Sequence, residues 1–225
     1  FREIRAAFEK SDSVCDWSAQ YMCLPIERNG AVFSPEALRY YNGELPEEDP
    51  DRVLMVVDPS WGGGDYVSAP VFYQYGEDLF LHDIVFSNKD KFITEPMVVD
   101  AILRNNVQAC YVEGTRVTGT YAEELDQRLR AVNYRLNLQR TTKHWSSQAG
   151  KAQRIFDKAP EIISKVVFRD SKHRDKAYQN AMQQMFAFTV EGKIKHDDFP
   201  DSLAMAMVMV GGRMYAKARA VNRFI

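Results

Sequence analysis

Val53-Leu54-Met55-Val56-Val57-Asp58-Pro59-Ser60 is the stretch that decides the fold. Its first five residues form an unbroken apolar run rich in β-branched side chains, the pattern of a strand covered on both faces. A strand of that kind belongs in the middle of a sheet with helices on each side. It stops at an acid followed by a proline, which cannot continue the ladder. A carboxylate placed directly after buried chain is costly unless it is solvated, paired or bound to a cation.

Downstream, Val67 to Tyr75 and Asp78 to Phe86 read as two strands joined by a hairpin turn at Gly76-Glu77. The periodicity then predicts a helix from Thr94 to Asn105, a short buried strand from Ala109 to Val112 that ends on Glu113, and a helix from Thr120 to Ala131. Strands follow near Tyr134 to Leu138 and Val166 to Phe168, with a helix from Gln148 to Lys158 between them. Two more helices are expected, from about Lys172 to Phe188 and from about Asp198 to Ala218. Three meandering strands followed by strand-helix repeats predict an α/β fold: a ribonuclease H-like (RuvC/integrase-type) mixed β-sheet flanked by helices. In that sheet the first strand is central and the fourth lies beside it and parallel. Asp58 and Glu113 therefore stand at the same edge.

Upstream, residues 1 to 23 carry helix-like spacing, and Pro25, Asn29-Gly30 and Pro35 mark turns. Gly43 to Asp51 holds two prolines, a glycine and five acids around one apolar residue, and reads as a linker. The expected division is an N-terminal helical arm and linker over residues 1–50 and the main domain over 51–225. The chain opens on Phe1 inside a helical pattern, so a fragment of something longer is expected.

The 225 residues are 45% hydrophobic and 27% charged, enough for a core without disulfides or a structural metal. Cys15, Cys23 and Cys110 have no C-x-x-C spacing and read as free thiols in a reducing compartment. The longest apolar run, Leu203 to Val210, is far short of the roughly 20 residues a membrane span needs, and no export leader is visible. The net charge of −2 is a cancellation. Residues 1–127 hold 10 Lys and Arg against 23 Asp and Glu, residues 128–195 hold 15 against 5, and residues 196–225 hold 4 against 3. A basic stretch beside an acidic one suits a protein that holds a polyanion with one surface and polyvalent cations with another.

A third acidic set stands in His196-Asp197-Asp198-Phe199-Pro200-Asp201, where Asp197 or Asp198 caps an apolar helix with Pro200 in its first turn. Hard oxygen donors select Mg²⁺ or Mn²⁺ over zinc. The four histidines, His82, His144, His173 and His196, show no ligand spacing to one another.

Four segments together, Val-Val-Asp58-Pro-Ser-x-Gly-Gly-Gly-Asp65-Tyr66, Tyr-Val-Glu113-Gly, Lys151-x-x-Arg154-Ile155 and His196-Asp197-Asp198-x-x-Asp201-Ser-Leu-Ala, resemble the nuclease domain of the large terminase subunit of tailed bacteriophages. The segment Trp17-Ser-Ala-Gln-Tyr21-Met-Cys23-Leu-Pro25, with Ala31-Val-Phe33 and Leu38-Arg-Tyr-Tyr41, resembles the lead into that domain. The resemblance implies a metal-dependent endonuclease that cuts double-stranded concatemeric DNA as a viral genome is packaged into procapsids. It implies two Mg²⁺ or Mn²⁺ ions: Asp58 bridging both, Glu113 holding one and Asp198 the other, with Asp65 acting through water and Asp197 and Asp201 competing with Asp198 for the third position. Many relatives carry an aspartate where this chain has Glu113.

Lys143, Lys151, Arg154, Lys172, Arg174 and Lys176 are the expected DNA-phosphate contacts. Implied partners are the portal protein, the small terminase subunit and an ATPase domain of the same polypeptide, in the cytoplasm of the infected bacterium and without a membrane. No Gly-x-x-x-x-Gly-Lys-Ser/Thr occurs in these 225 residues. Competing readings are a junction-resolvase or transposase-type nuclease on the same sheet, and a non-catalytic DNA-binding or procapsid-docking module.

Overall fold

The computed structural model describes residues 30–60, 64–113, 119–141, 150–189 and 196–221, with backbone only for 119–120, 137–141 and 211–221. The expectations for residues 1–29, including Cys15 and Cys23, and for Lys143 and His144 lie outside the described residues.

Among the described residues, seven strands form one mixed sheet: β1 (Arg39–Tyr41), β2 (Arg52–Val57), β3 (Val67–Tyr75), β4 (Asp78–Ser87), β5 (Ala109–Glu113), β6 (Asn137–Thr141) and β7 (Val166–Arg169). Their order is β1-β7-β4-β3-β2-β5-β6. β3 runs antiparallel to both its neighbours, and every other pairing is parallel. β2 is an interior strand next to the middle strand β3, and β5 lies parallel beside it as expected, with Val57 opposite Val112. Among the described residues, five helices cover the sheet: α1 (Lys91–Arg104), α2 (Gly119–Ala131), α3 (Lys151–Lys165), α4 (Lys176–Phe186) and α5 (Asp198–Val221).

Alternation along β2 explains both layers. Leu54 and Val56 enter a core with α3, α4 and α5, whereas Val53, Met55 and Val57 enter a second core with α1 and α2. Continuing that period past Val57 sends Asp58 to the α3/α5 side. β5 behaves alike: Ala109 and Tyr111 join the first core, Cys110 and Val112 the second, so Glu113 faces the same side as Asp58. Met205 and Met207 of α5 are core, and Cys110 is a buried free thiol whose pKa burial raises. Among the described residues, no helix is long and apolar enough to cross a membrane.

Several element boundaries differ from the sequence expectation. The polar run Gly43 to Asp51 joins two strands of the same sheet, because β1 pairs with β7 and Val32, Phe33 and Leu38 are core residues. The helix expected to stop at Lys158 continues through Pro160 to Lys165, since Ile155, Phe156, Ala159 and Ile162 keep its apolar face buried. The helix expected from Lys172 starts at Lys176. There Asp175 caps it by accepting from the Tyr178 N–H at 2.8 Å, and Ser171–His173 forms a separate 3-10 turn capped by Asp170. The sixth strand lies three residues later than expected because Asn133, at φ +58°, prolongs the turn after α2. Asp90, accepting from the Phe92 N–H, starts α1 a turn early.

Asp83 locks α1 to β4 beside a bulge, where Val71 pairs with Asp83 and Phe72 with Leu81. Its carboxylate accepts from Arg104 Nε at 2.7 Å and Asn105 Nδ2 at 2.6 Å. Burial pushes the carboxyl up, but Arg104, Asn105 and the Ile84 N–H outweigh it and hold it below the usual range. Stability from this group is complete above the unfolded carboxylate pKa of about 3.9 and is lost as pH falls through the lower folded value. Asp83→Ala should therefore cost about 2 kcal/mol in urea unfolding at pH 7, and the penalty should shrink below about pH 4.

Candidate active site

The site lies where β2 and β5 end and α3 and α5 begin. Asp58 is fixed by its backbone, which exchanges hydrogen bonds of 2.9 and 3.1 Å with Ser68 at the start of β3. Ser68 ties that corner to α5 through Ser202 Oγ, 2.8 Å away. Ser202 spends its proton on the Phe199 carbonyl, so Ser68 is the donor. Asp198 opens α5, Asp197 precedes it, and the Asp201 N–H donates to the Asp197 carbonyl at 3.0 Å. Spacings of three and four residues put Asp197, Asp198 and Asp201 on one side of that helix start. Negative charge is favoured there by the helix dipole.

Lys151 Nζ reaches into this cluster from the first residue of α3. It lies 3.0 Å from Asp197, 3.4 Å from Asp198, 3.5 Å from Asp201 and 3.8 Å from Asp58. Arg154, one turn on, is 3.3 Å from Asp201. Cations in the first turn of a helix oppose its dipole by a few tenths of a kcal/mol each, so the carboxylates account for their placement. The side chains of Asp58, Asp198 and Asp201 are only 14%, 10% and 4% exposed.

Burial drives the Asp58 carboxyl well above the ordinary range. Lys151 opposes the shift, while Glu113, within hydrogen-bonding reach, and Asp201 add to it. Asp201 is raised by burial to about 6 against the pull of Lys151 and Arg154, with Glu113 and Asp197 pushing the same way as burial. Burial lowers the Lys151 pKa, but Asp58, Asp201, Asp197 and Asp198 more than reverse that and hold its ammonium charged.

The structure thus gathers Asp58, Glu113, Asp197, Asp198 and Asp201. Asp201, one of the competitors for the third position in the sequence reading, has the least exposed side chain of these aspartates and pairs with both cations. Asp65 stands exposed, and its backbone carbonyl accepts from Ser60 Oγ at 2.9 Å. Lys151 and Arg154, expected on DNA phosphates, point into the carboxylates. Lys172 and Lys176 are exposed beyond β7. Arg174 donates to the Arg169 carbonyl at 2.7 Å and lies over the Tyr40 ring, 5.5 Å from its centroid. Gln184, which the sequence reading missed, touches Asp198 from α4; a polar residue on an amphipathic helix carries no signal for that.

The donor set fits a hard divalent cation: all oxygens, concentrated, and already holding positive charge at their centre. Among the described residues, no three Asp, Glu, His or Cys side chains are arranged around a metal position.

No protein-family sequence model matches the chain, and no curated protein does. Solved structures do. A mutant nuclease domain of the large terminase subunit of bacterial virus Sf6, with manganese and beta-thujaplicinol, is similar at 12% identity and TM-score 0.50, over 71% of this chain and 89% of that one. The human cytomegalovirus terminase nuclease domain, manganese-soaked and inhibitor-bound, matches at 10% identity and TM-score 0.54, over 79% and 94%. A large terminase from a thermophilic bacteriophage matches at 6% identity and TM-score 0.52 over 79% of this chain and 43% of that chain. The fold is that of terminase nuclease domains, ribonuclease H-like as expected.

Removing the internal cation should expose the cost of the acids. Lys151→Met should lose about 3 kcal/mol in urea unfolding with EDTA. Millimolar Mn²⁺ should restore the variant by more than it stabilises the wild type.

Proposed function

We propose that this chain is a metal-dependent endonuclease that cleaves double-stranded concatemeric viral DNA during genome packaging, by two-metal-ion phosphodiester hydrolysis. The observation that carries the reading is the convergence of Asp58, Glu113 and Asp198 at one sheet edge around a positive charge. Similarity of fold to nuclease domains solved with manganese supports it.

Asp58, Glu113 and Asp198 would hold two Mg²⁺ or Mn²⁺ ions, with Asp197 and Asp201 beside them and Asp65 acting through water. Bound ions of that kind lower the pKa of an attacking water and neutralise the leaving oxygen. The chain's own part is charge and order. The two strand ends present their carboxylates from a rigid sheet, and the first turn of α5 closes on them. Lys151 keeps the cluster compact while its ammonium balances the acids.

Lys172 and Lys176 form the exposed basic surface for DNA backbone, with the half-buried Arg174 beside them and Lys143 as a further candidate. Lys151 and Arg154 act within the site and not along the duplex. Portal protein, small terminase subunit and an ATPase domain of the same polypeptide are the proposed partners, in the cytoplasm of the infected bacterium.

Plasmid nicking tests the reading. The wild type should nick supercoiled DNA with Mg²⁺ or Mn²⁺ and not with EDTA. Asp58→Ala, Glu113→Ala and Asp198→Ala should each slow cutting by about 100-fold or more, the scale of several kcal/mol of transition-state stabilisation. Supercoiled DNA left intact by wild type with both metals would sink the proposal. For the basic surface, Lys172→Ala with Lys176→Ala should reduce the slope of log affinity against log salt by about 2. An unchanged slope would move the DNA elsewhere.

A further inference from the structure

Gln184 sits in the last turn of α4, yet its side chain serves the first turn of α5. Its Oε1 accepts from the Phe199 N–H at 2.6 Å. Phe199 is the second residue of α5, so that N–H is one of the donors a helix start leaves without an intrahelical partner. A backbone N–H can only donate, which fixes the amide orientation: the oxygen faces Phe199 and the NH₂ faces away. The NH₂ then donates to Asp198 Oδ2 at 3.4 Å. That same oxygen accepts from the Tyr66 N–H at 3.3 Å, while Oδ1 faces Lys151 Nζ at 3.4 Å.

We infer that Gln184 is a positioning residue that turns Asp198 so that a single oxygen, Oδ1, faces the centre of the carboxylate cluster. The inference rests on the metal-dependent reading above. With two N–H donors on Oδ2, the carboxylate has one oxygen engaged with the frame and one left for a cation. Partners that orient a ligating carboxylate in this way set its affinity as well as its direction. The α4 helix does not need this side chain for its own ending, because the Ala187 N–H closes it on the Gln183 carbonyl. The amide therefore works across the gap between α4 and α5, as a cap for Phe199 and an orienter for Asp198.

The test titrates Mn²⁺ into the 225-residue chain by calorimetry and records melting in EDTA. Gln184→Met should weaken Mn²⁺ binding about 10- to 100-fold. In an Asp198→Asn background the same change should have no further effect, because the residue acts through Asp198. Gln184→Glu keeps the acceptor for Phe199 and so keeps the helix start, but replaces the donor with an anion. It should move the affinity about tenfold or more in either direction, and it carries the test should the methionine variant not fold. Unchanged Mn²⁺ affinity in these variants, or an equal loss with Asp198→Asn present, would overturn the positioning role, even if melting falls. The reading beneath it is tested separately by Asp58→Asn. If the wild type binds no Mn²⁺, or Asp58→Asn binds it as tightly, the metal-dependent function fails and this inference with it. If Asp58→Asn loses binding while Gln184 is indifferent, only the positioning role fails.

Discussion

Like charges gathered in a buried corner need an opposite charge among them. Asp58, Glu113, Asp197, Asp198 and Asp201 share the edge where β2 and β5 end, and at 4 Å each repulsive pair costs about 4 kcal/mol at an effective dielectric of 20. Lys151 supplies the balancing charge within 3.8 Å of four of them. The surrounding structure follows from that requirement. The alternation of β2 and β5 sends both strand-end acids to one face, the Ser68–Ser202 contact draws α5 over them, and α3 places two cations where its dipole disfavours them.

The charge asymmetry of the chain acquires a place through the same contact. The acidic first half supplies Asp58 and Glu113, and the basic stretch after residue 127 supplies Lys151 and Arg154. Part of the excess positive charge is therefore paired inside the protein, while Lys172 and Lys176, farther along, stay exposed.

Much of the sheet was legible in the sequence because its centre is written in local pattern. Val53 to Val57 is apolar on both parities, and the acids that follow β2 and β5 are conspicuous where buried runs end. β1 was not legible. Arg39-Tyr40-Tyr41 has no apolar run, and its partner strand lies more than a hundred residues away at Val166–Arg169. α3 runs on past the expected end at Lys158 and through Pro160, although a proline usually ends a helix, because a buried apolar face on both sides of it sustains the helix. The acids at 197, 198 and 201 were visible as a set, but their ranking depends on burial and on which cation each meets. Lys151 was read as a phosphate contact for the same reason: its charge is in the sequence, and its partners arrive only through the packing of α3 on α5.

The most direct test of the account is anomalous diffraction from a crystal of this chain soaked in Mn²⁺. Peaks lying among Asp58, Glu113 and Asp198, with the Lys151 ammonium withdrawn from its central position, are the predicted result. Peaks confined to other acids, or a cluster that keeps Lys151 at its centre with no Mn²⁺ bound, would contradict it.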